Sequence, residues 1–152
     1  MGKKAHLTPH EQRDSFARAF DIVQAYLAAD NFIGAYIVAF SILEDRIATM
    51  YAACVRGKTE GAGQSRKQRH QPLSEKMRLL VKRGVITSAE QQAWTTLANE
   101  RNQKLHEAMW NLDEFNAADV EIVIAAARRA SNLRKVQKRA DARHQQHRAQ
   151  LS

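Results

Sequence analysis

"FIGAYIVAFSILEDRIATMYAACV", residues 32–55, decides what kind of protein this chain forms. Its first half, 32–43, carries no charge, and then Glu44, Asp45 and Arg46 interrupt it. A membrane span needs ~20 predominantly apolar residues, so the run is too short to cross a bilayer. Tyr36, Ile37, Phe40, Leu43, Ile47, Met50, Tyr51 and Cys54 recur at helical intervals. The stretch is expected to be a helix deep inside a soluble protein. Glu44 falls next to its apolar stripe, one turn beyond Phe40.

Upstream, Thr8-Pro9-His10-Glu11 combines an N-cap, a proline at the first helical position and the glutamate of a capping box. The helix it opens carries Phe16, Phe20, Val23, Tyr26 and Leu27 on one side, runs to about Ala29 and is broken by Asp30-Asn31. Downstream, "RGKTEGAGQSRKQRHQ", residues 56–71, has no periodicity, three glycines and many charges, and is expected to be a long mobile loop. A short third helix spans about Leu73 to Arg83 and ends at Gly84. Thr87-Ser88-Ala89-Glu90 is a second capping box and opens a fourth, to about Asn111. Asn116, with Asp119 three residues on, caps a fifth. Its stripe of Val120, Val123, Ile124, Ala127, Ala130, Leu133 and Val136 then fades. "QKRADARHQQHRAQLS", residues 137–152, keeps helical propensity but has no face to bury, so it projects or frays. Strand-like alternation, internal repeats and Gly-rich phosphate loops are all missing from the sequence. The expected fold is all-α: an antiparallel bundle of four to five helices over 9–136, a mobile loop at 56–71, a flexible N-terminus at 1–8 and a basic helical extension at 137–152.

A length of 152 residues suits one domain, and 44% hydrophobic with 26% charged residues is ordinary for a soluble globular chain. "MGKKAHLTPHEQRD" has no apolar stretch behind its lysines and does not resemble a signal peptide, so the expected location is cytoplasmic. Cys54 is the lone cysteine, which leaves no disulfide framework or thiolate metal site and suits a small core residue. The net charge of +8 is concentrated. Arg128 to Arg148 holds eight lysines and arginines against one acid, Asp141, and accounts for nearly the whole excess. Arg56, Lys58, Arg66, Lys67 and Arg69 form a second cluster. Clustered cations without an aromatic-rich apolar face point to nucleic acid before membrane, although a solvated helix end is the commoner origin of such a run.

The fourth helix contains the anomaly. In "LANERNQKLHEAMW", residues 97–110, the apolar positions Trp94, Leu97, Ala98, Leu105, Ala108, Met109 and Leu112 are interrupted by Arg101, followed by Asn102 and then His106. Asn102 and His106 are four apart and project together, whereas Arg101 is offset from His106 by about 140° around the helix and roughly 7.5 Å along it. A long arginine can curl back, so the three polar groups are able to converge. Leaving the guanidinium buried and unpaired would cost several kcal/mol. In one solution Arg101 pairs with a carboxylate of a facing helix, Glu44 first among them, and His106 is a surface histidine. In the other the trio lines a phosphate-binding cleft: Arg101 as a bidentate fork, His106 as a proton carrier near neutral pH, Asn102 as an orienting group.

Arg101-Asn102-Gln103-Lys104-Leu105-His106 resembles the signature of the HEPN superfamily: Arg, a polar residue that is often Asn, variable positions, then His. The order of helices and an acid in an earlier helix, Glu44 here, are similar too, over residues 10–136. The resemblance implies a small α-helical bundle that cleaves RNA without a metal or other cofactor, at a composite site where the motif helices of two subunits face each other. It implies His106 as general base or acid, Arg101 as stabiliser of the phosphorane-like charge, Asn102 as positioning group and Glu44 as the residue that holds Arg101. Arg128, Arg129, Arg134, Lys135, Lys138 and Arg139 would then track the RNA backbone. Trp110 is a candidate for stacking an unpaired base, although a core or dimer-interface tryptophan is the commoner case. A toxin or defence role, silenced by a nucleotidyltransferase-type antitoxin, is what membership implies.

Two rivals stand beside this expectation. One is a non-catalytic RNA-binding or scaffold module with a buried Arg101–Glu44 pair. The other is a DNA-binding regulator using the basic tail, for which no helix-turn-helix spacing exists. His144 and His147 lack a third metal ligand, and Asp113 and Glu114 suit turn chemistry. His6, His10 and His70 carry no pattern.

Overall fold

The computed structural model describes residues 9–56, 72–108, 110 and 115–151, and every regular element among them is a helix. These are α1 (Pro9–Ala28), α2 (Phe32–Arg56), α3 (Leu73–Lys82), α4 (Ser88–Glu107) and α5 (Ala117–Leu151). The all-α bundle expected from periodicity is the fold. The expected N-terminal segment 1–8, loop positions 57–71, Met109 and residues 111–114, including Leu112, Asp113 and Glu114, lie outside the described residues. Arg56 still belongs to α2.

The helix formed by the apolar run at 32–43 and its continuation is the hub. α2 packs against α1, α3 and α5. It buries Ala35, Tyr36, Ala39, Phe40, Ile42, Leu43, Ile47, Met50 and Tyr51. A helix with partners on several sides must be apolar around most of its circumference, which is why this segment carries an uninterrupted apolar run. No helix among the described residues is long and apolar enough to cross one. α5 adds Val120, Val123, Ile124, Ala126, Ala127 and Ala130 to the core, α3 adds Met77 and Leu80, and α4 adds Trp94 and Leu97.

Local chemistry sets the breaks. Asp30 sits in the left-handed region (φ 54°). Its N–H donates to the Leu27 carbonyl at 3.1 Å and the Asn31 N–H to the Tyr26 carbonyl at 2.8 Å, closing α1 with a Schellman turn. Asn31 then caps α2 by accepting the Gly34 N–H at 2.9 Å. A Cβ on Gly34 would lie 3.0 Å from that capping side chain, a tight contact that glycine avoids. α3 ends the same way on Gly84 (φ 70°), with Val85 N–H on Leu80 O and Gly84 N–H on Val81 O, both 2.9 Å. Thr87 and Glu90 cap α4 reciprocally at 3.1 and 2.9 Å. Asn116 and Asp119 do the same ahead of α5 at 3.0 and 3.3 Å.

The stripes differ from expectation at their edges. Tyr26, Ile37 and Val136 are exposed. The row of α1 that meets the core is Phe20, Val23 and Leu27, and Tyr26 lies about 100° around from Leu27. Val136 stands beyond Ala130, the last buried residue of α5. The extension is helical to Leu151.

Candidate functional site

α4 packs on α3 and is tied to its other neighbours by charge. Glu90 accepts from Arg129 Nε of α5 at 2.6 Å, Lys104 Nζ reaches Asp119 Oδ1 at 2.6 Å, and Arg101 reaches across to α2. Burial alone would push the Glu90 carboxyl up, but the Thr87 backbone N–H and the Arg129 guanidinium outweigh it and hold the group below the usual carboxylate range.

At 100° per residue, Arg101 falls in the middle of the row formed by Trp94, Leu97, Leu105 and Ala108. Its guanidinium is held on three sides. Nη1 donates to Glu44 Oε1 at 2.6 Å. Nε and Nη2 both donate to Asn102 Oδ1, at 3.2 and 3.1 Å. Cζ lies 4.4 Å from the centroid of the Phe40 ring, a cation–π contact. A guanidinium has five N–H donors; three are used here, which leaves two. The side chain keeps 26% of its surface exposed and Glu44 keeps 38%. Arg101 is thus an oriented cation at the rim of the core, with donors in reserve for an anion.

Beneath it lies an aromatic stack. Tyr36 stacks on Phe40 at 6.5 Å and meets Phe115 edge-on at 5.2 Å, and Lys104 Nζ lies 6.0 Å from the Phe115 centroid. Tyr36 is 2% exposed and its hydroxyl has no hydrogen-bond partner among the described residues. Burial, chiefly, pushes this phenol above its ordinary pKa; the charges of Glu100 and Asp119 act in the same sense and Arg101 opposes them. Phe40 escaped notice as a site residue because an aromatic at helical spacing in an apolar run reads as core. Its position four residues before Glu44 was the available signal.

The structure brings together Arg101, Asn102 and Glu44, as the spacing allowed. It does not bring His106 to them. His106 is exposed and makes no hydrogen bond or ion pair with the described residues, while the Asn102 amide oxygen accepts from Arg101. The convergence of all three polar groups within one subunit is therefore absent.

The basic residues of α5 divide. Arg128 and Lys135 are exposed. Arg129 is exposed but bound to Glu90, and Arg134 is half-buried with Nη1 on Gln137 Oε1 at 3.2 Å. The side chains of Lys138, Arg139 and His144 lie outside the described residues, and His147 is exposed. Cys54 is half-buried, its Sγ accepting from Gln137 Nε2 at 3.0 Å. Trp110 is 85% exposed, which removes the core role expected of it. An open concavity of about 330 Å³ on the other flank of α4 is lined by Glu100, Gln103, Lys104 and Glu107. Its two acids, and a lysine already bound to Asp119, suit a phosphate poorly.

Compared with known protein families, curated proteins and solved structures, the chain finds no match.

Proposed function

We propose that the protein is a metal-independent endoribonuclease of HEPN type. The observation that supports it is Arg101: a guanidinium at the centre of a buried helical row, oriented by Glu44, Asn102 and Phe40, and retaining exposed surface and two donors. A purely structural arginine would be cheaper to replace by an apolar residue, since paired charges rarely beat a well-packed hydrophobe. Beside it runs the exposed ridge of Asn102 and His106.

The chemistry follows from these groups. The ribose 2′-oxygen attacks the adjacent phosphorus, the P–O5′ bond breaks, and a 2′,3′-cyclic phosphate and a 5′-hydroxyl result. His106 removes the 2′-hydroxyl proton or delivers one to the departing 5′-oxygen. Arg101 donates to the phosphorane oxygens as their charge develops. Since His106 stands apart from Arg101 in one subunit, the site is composite: a homodimer with the motif helices facing each other places one subunit's imidazole beside the other's guanidinium. A cytoplasmic toxin or defence nuclease, silenced by a nucleotidyltransferase-type antitoxin, is the biological setting that the HEPN resemblance implies.

A second reading is favoured by one observation. The Arg101–Glu44–Asn102 contacts are complete within a single chain, as expected of a non-catalytic RNA-binding or scaffold module. The two separate in one experiment. Wild type, Arg101→Ala and His106→Ala are incubated with total RNA in EDTA, with helicity and oligomeric state checked in parallel. Cleavage by wild type alone, with all three folded, supports the nuclease. RNA retained but intact with wild type supports the module.

A further inference from the structure

Trp110 is the most exposed large hydrophobic side chain among the described residues, at 85% against 60% for Val136. It stands in the turn that continues α4, its N–H on the Glu107 carbonyl at 2.8 Å, after Ala108 has kept helical angles (φ −58°, ψ −25°). Asn102 and His106 stand four residues apart on one ridge of α4, and Trp110 follows in the turn just beyond the helix. All three are exposed.

The company this indole keeps says what it suits. Tryptophan normally gives up most of its surface to a core or an interface. A protein partner is usually marked by a contiguous apolar patch, whereas the exposed ridge at the end of α4 before Trp110 is an amide and an imidazole. Glu107, one turn away, is bound by Gln103 at 2.9 Å. A flat, exposed π-face on a chain of net charge +8 matches a nucleobase whose own phosphate carries the opposite charge. A base inside a duplex already has both faces covered by its neighbours, so the base must be unpaired.

We propose that Trp110 stacks an unpaired base of the RNA strand whose phosphate lies at Arg101 and His106, and that it thereby selects single-stranded RNA. The location of the strand rests on the endoribonuclease proposal; the stacking is measurable without cleavage. The probe is a fluorescein-labelled, mixed-sequence 2′-O-methyl oligoribonucleotide, which has no 2′-hydroxyl to attack, used single-stranded and as a duplex at fixed salt. Trp110→Ala is expected to bind the single strand roughly 5- to 100-fold more weakly than wild type. Trp110→Phe retains most of the affinity, and duplex binding is the same for wild type and Trp110→Ala. Unchanged helicity of the variants confirms that folding is not the cause.

Equal single-strand affinity of Trp110→Ala and wild type overturns the proposal. So does an equal loss on duplex, or a wild type that binds no single strand. Sedimentation showing that Trp110→Ala turns a dimer into a monomer assigns the indole to a second copy of the chain and overturns it too. The two proposals fail separately: Trp110-dependent binding without RNA cleavage removes only the nuclease, and cleavage with Trp110-independent binding removes only the stacking.

Discussion

A guanidinium held by a carboxylate, an amide and an aromatic ring is a stable arrangement whatever its use, and each partner can be removed in turn. Glu44→Gln takes away the charge while keeping the shape. Both side chains retain a quarter or more of their exposure, so the loss falls below the 3–5 kcal/mol of a fully buried pair; roughly 1–2 kcal/mol is expected, read from the urea midpoint. Tyr36→Phe acts in the opposite direction. It removes a buried hydroxyl without a partner and is expected to leave stability unchanged or raise it by up to ~1 kcal/mol. The pH dependence has a definite sign. A phenol whose pKa is higher in the folded than in the unfolded state contributes stability that is fully present below about pH 10 and lost as pH rises through the folded value. Wild type should therefore weaken between pH 9 and 11 more than Tyr36→Phe, as urea titrations at the two pH values would show. At this scale the sequence disclosed the Arg101–Glu44 pair, because a cation in an apolar stripe demands a carboxylate and only one lay beside the facing stripe. It did not disclose that His106 stands apart from the pair, since helical spacing fixes where a side chain starts and not which partner it finds.

Helix boundaries were the most legible feature, because capping is decided by residues three or four apart. The Thr87–Glu90 and Asn116–Asp119 pairs and the Gly84 stop all do what their spacing requires. How far each stripe stays covered was not legible. Val136 and Tyr26 follow the helical period and are still exposed, because their burial depends on where the neighbouring helices end. Two predictions belong here. Asp30 carries a left-handed backbone that disfavours a Cβ, so Asp30→Gly is expected to stabilise the protein by roughly 0.5–1 kcal/mol in thermal or urea unfolding. Glu90 serves α4 twice, as capping-box partner of Thr87 and as acceptor from Arg129. Its pKa is depressed in the folded state, so its contribution is present above the unfolded value near 4.5 and lost as pH falls through the folded one. Glu90→Gln should cost about 1 kcal/mol at pH 7 and flatten the acid limb of the stability profile.

For the molecule as a whole, the described residues form five helices with α2 at the hub, and the positive excess of charge lies in α5. Arg128 and Lys135 are exposed there, and Arg129 is exposed but bound to Glu90. If both touch RNA phosphates, Arg128→Gln with Lys135→Gln lowers the slope of log affinity against log salt for single strands by about 1.4, with little effect on sequence preference. The all-α architecture could be inferred from periodicity alone; whether two chains share a site could not, because a second subunit leaves no mark in one chain's spacing. The chemistry proposed for the Arg101–His106 neighbourhood is tested most directly on a defined RNA and its all-2′-deoxy counterpart, incubated in EDTA with wild type and with His106→Ala purified in parallel. The expected result is cleavage of the RNA alone, by wild type alone, leaving 2′,3′-cyclic phosphate and 5′-hydroxyl ends. An intact RNA with folded, dimeric wild type, or equal cleavage by His106→Ala, would contradict it.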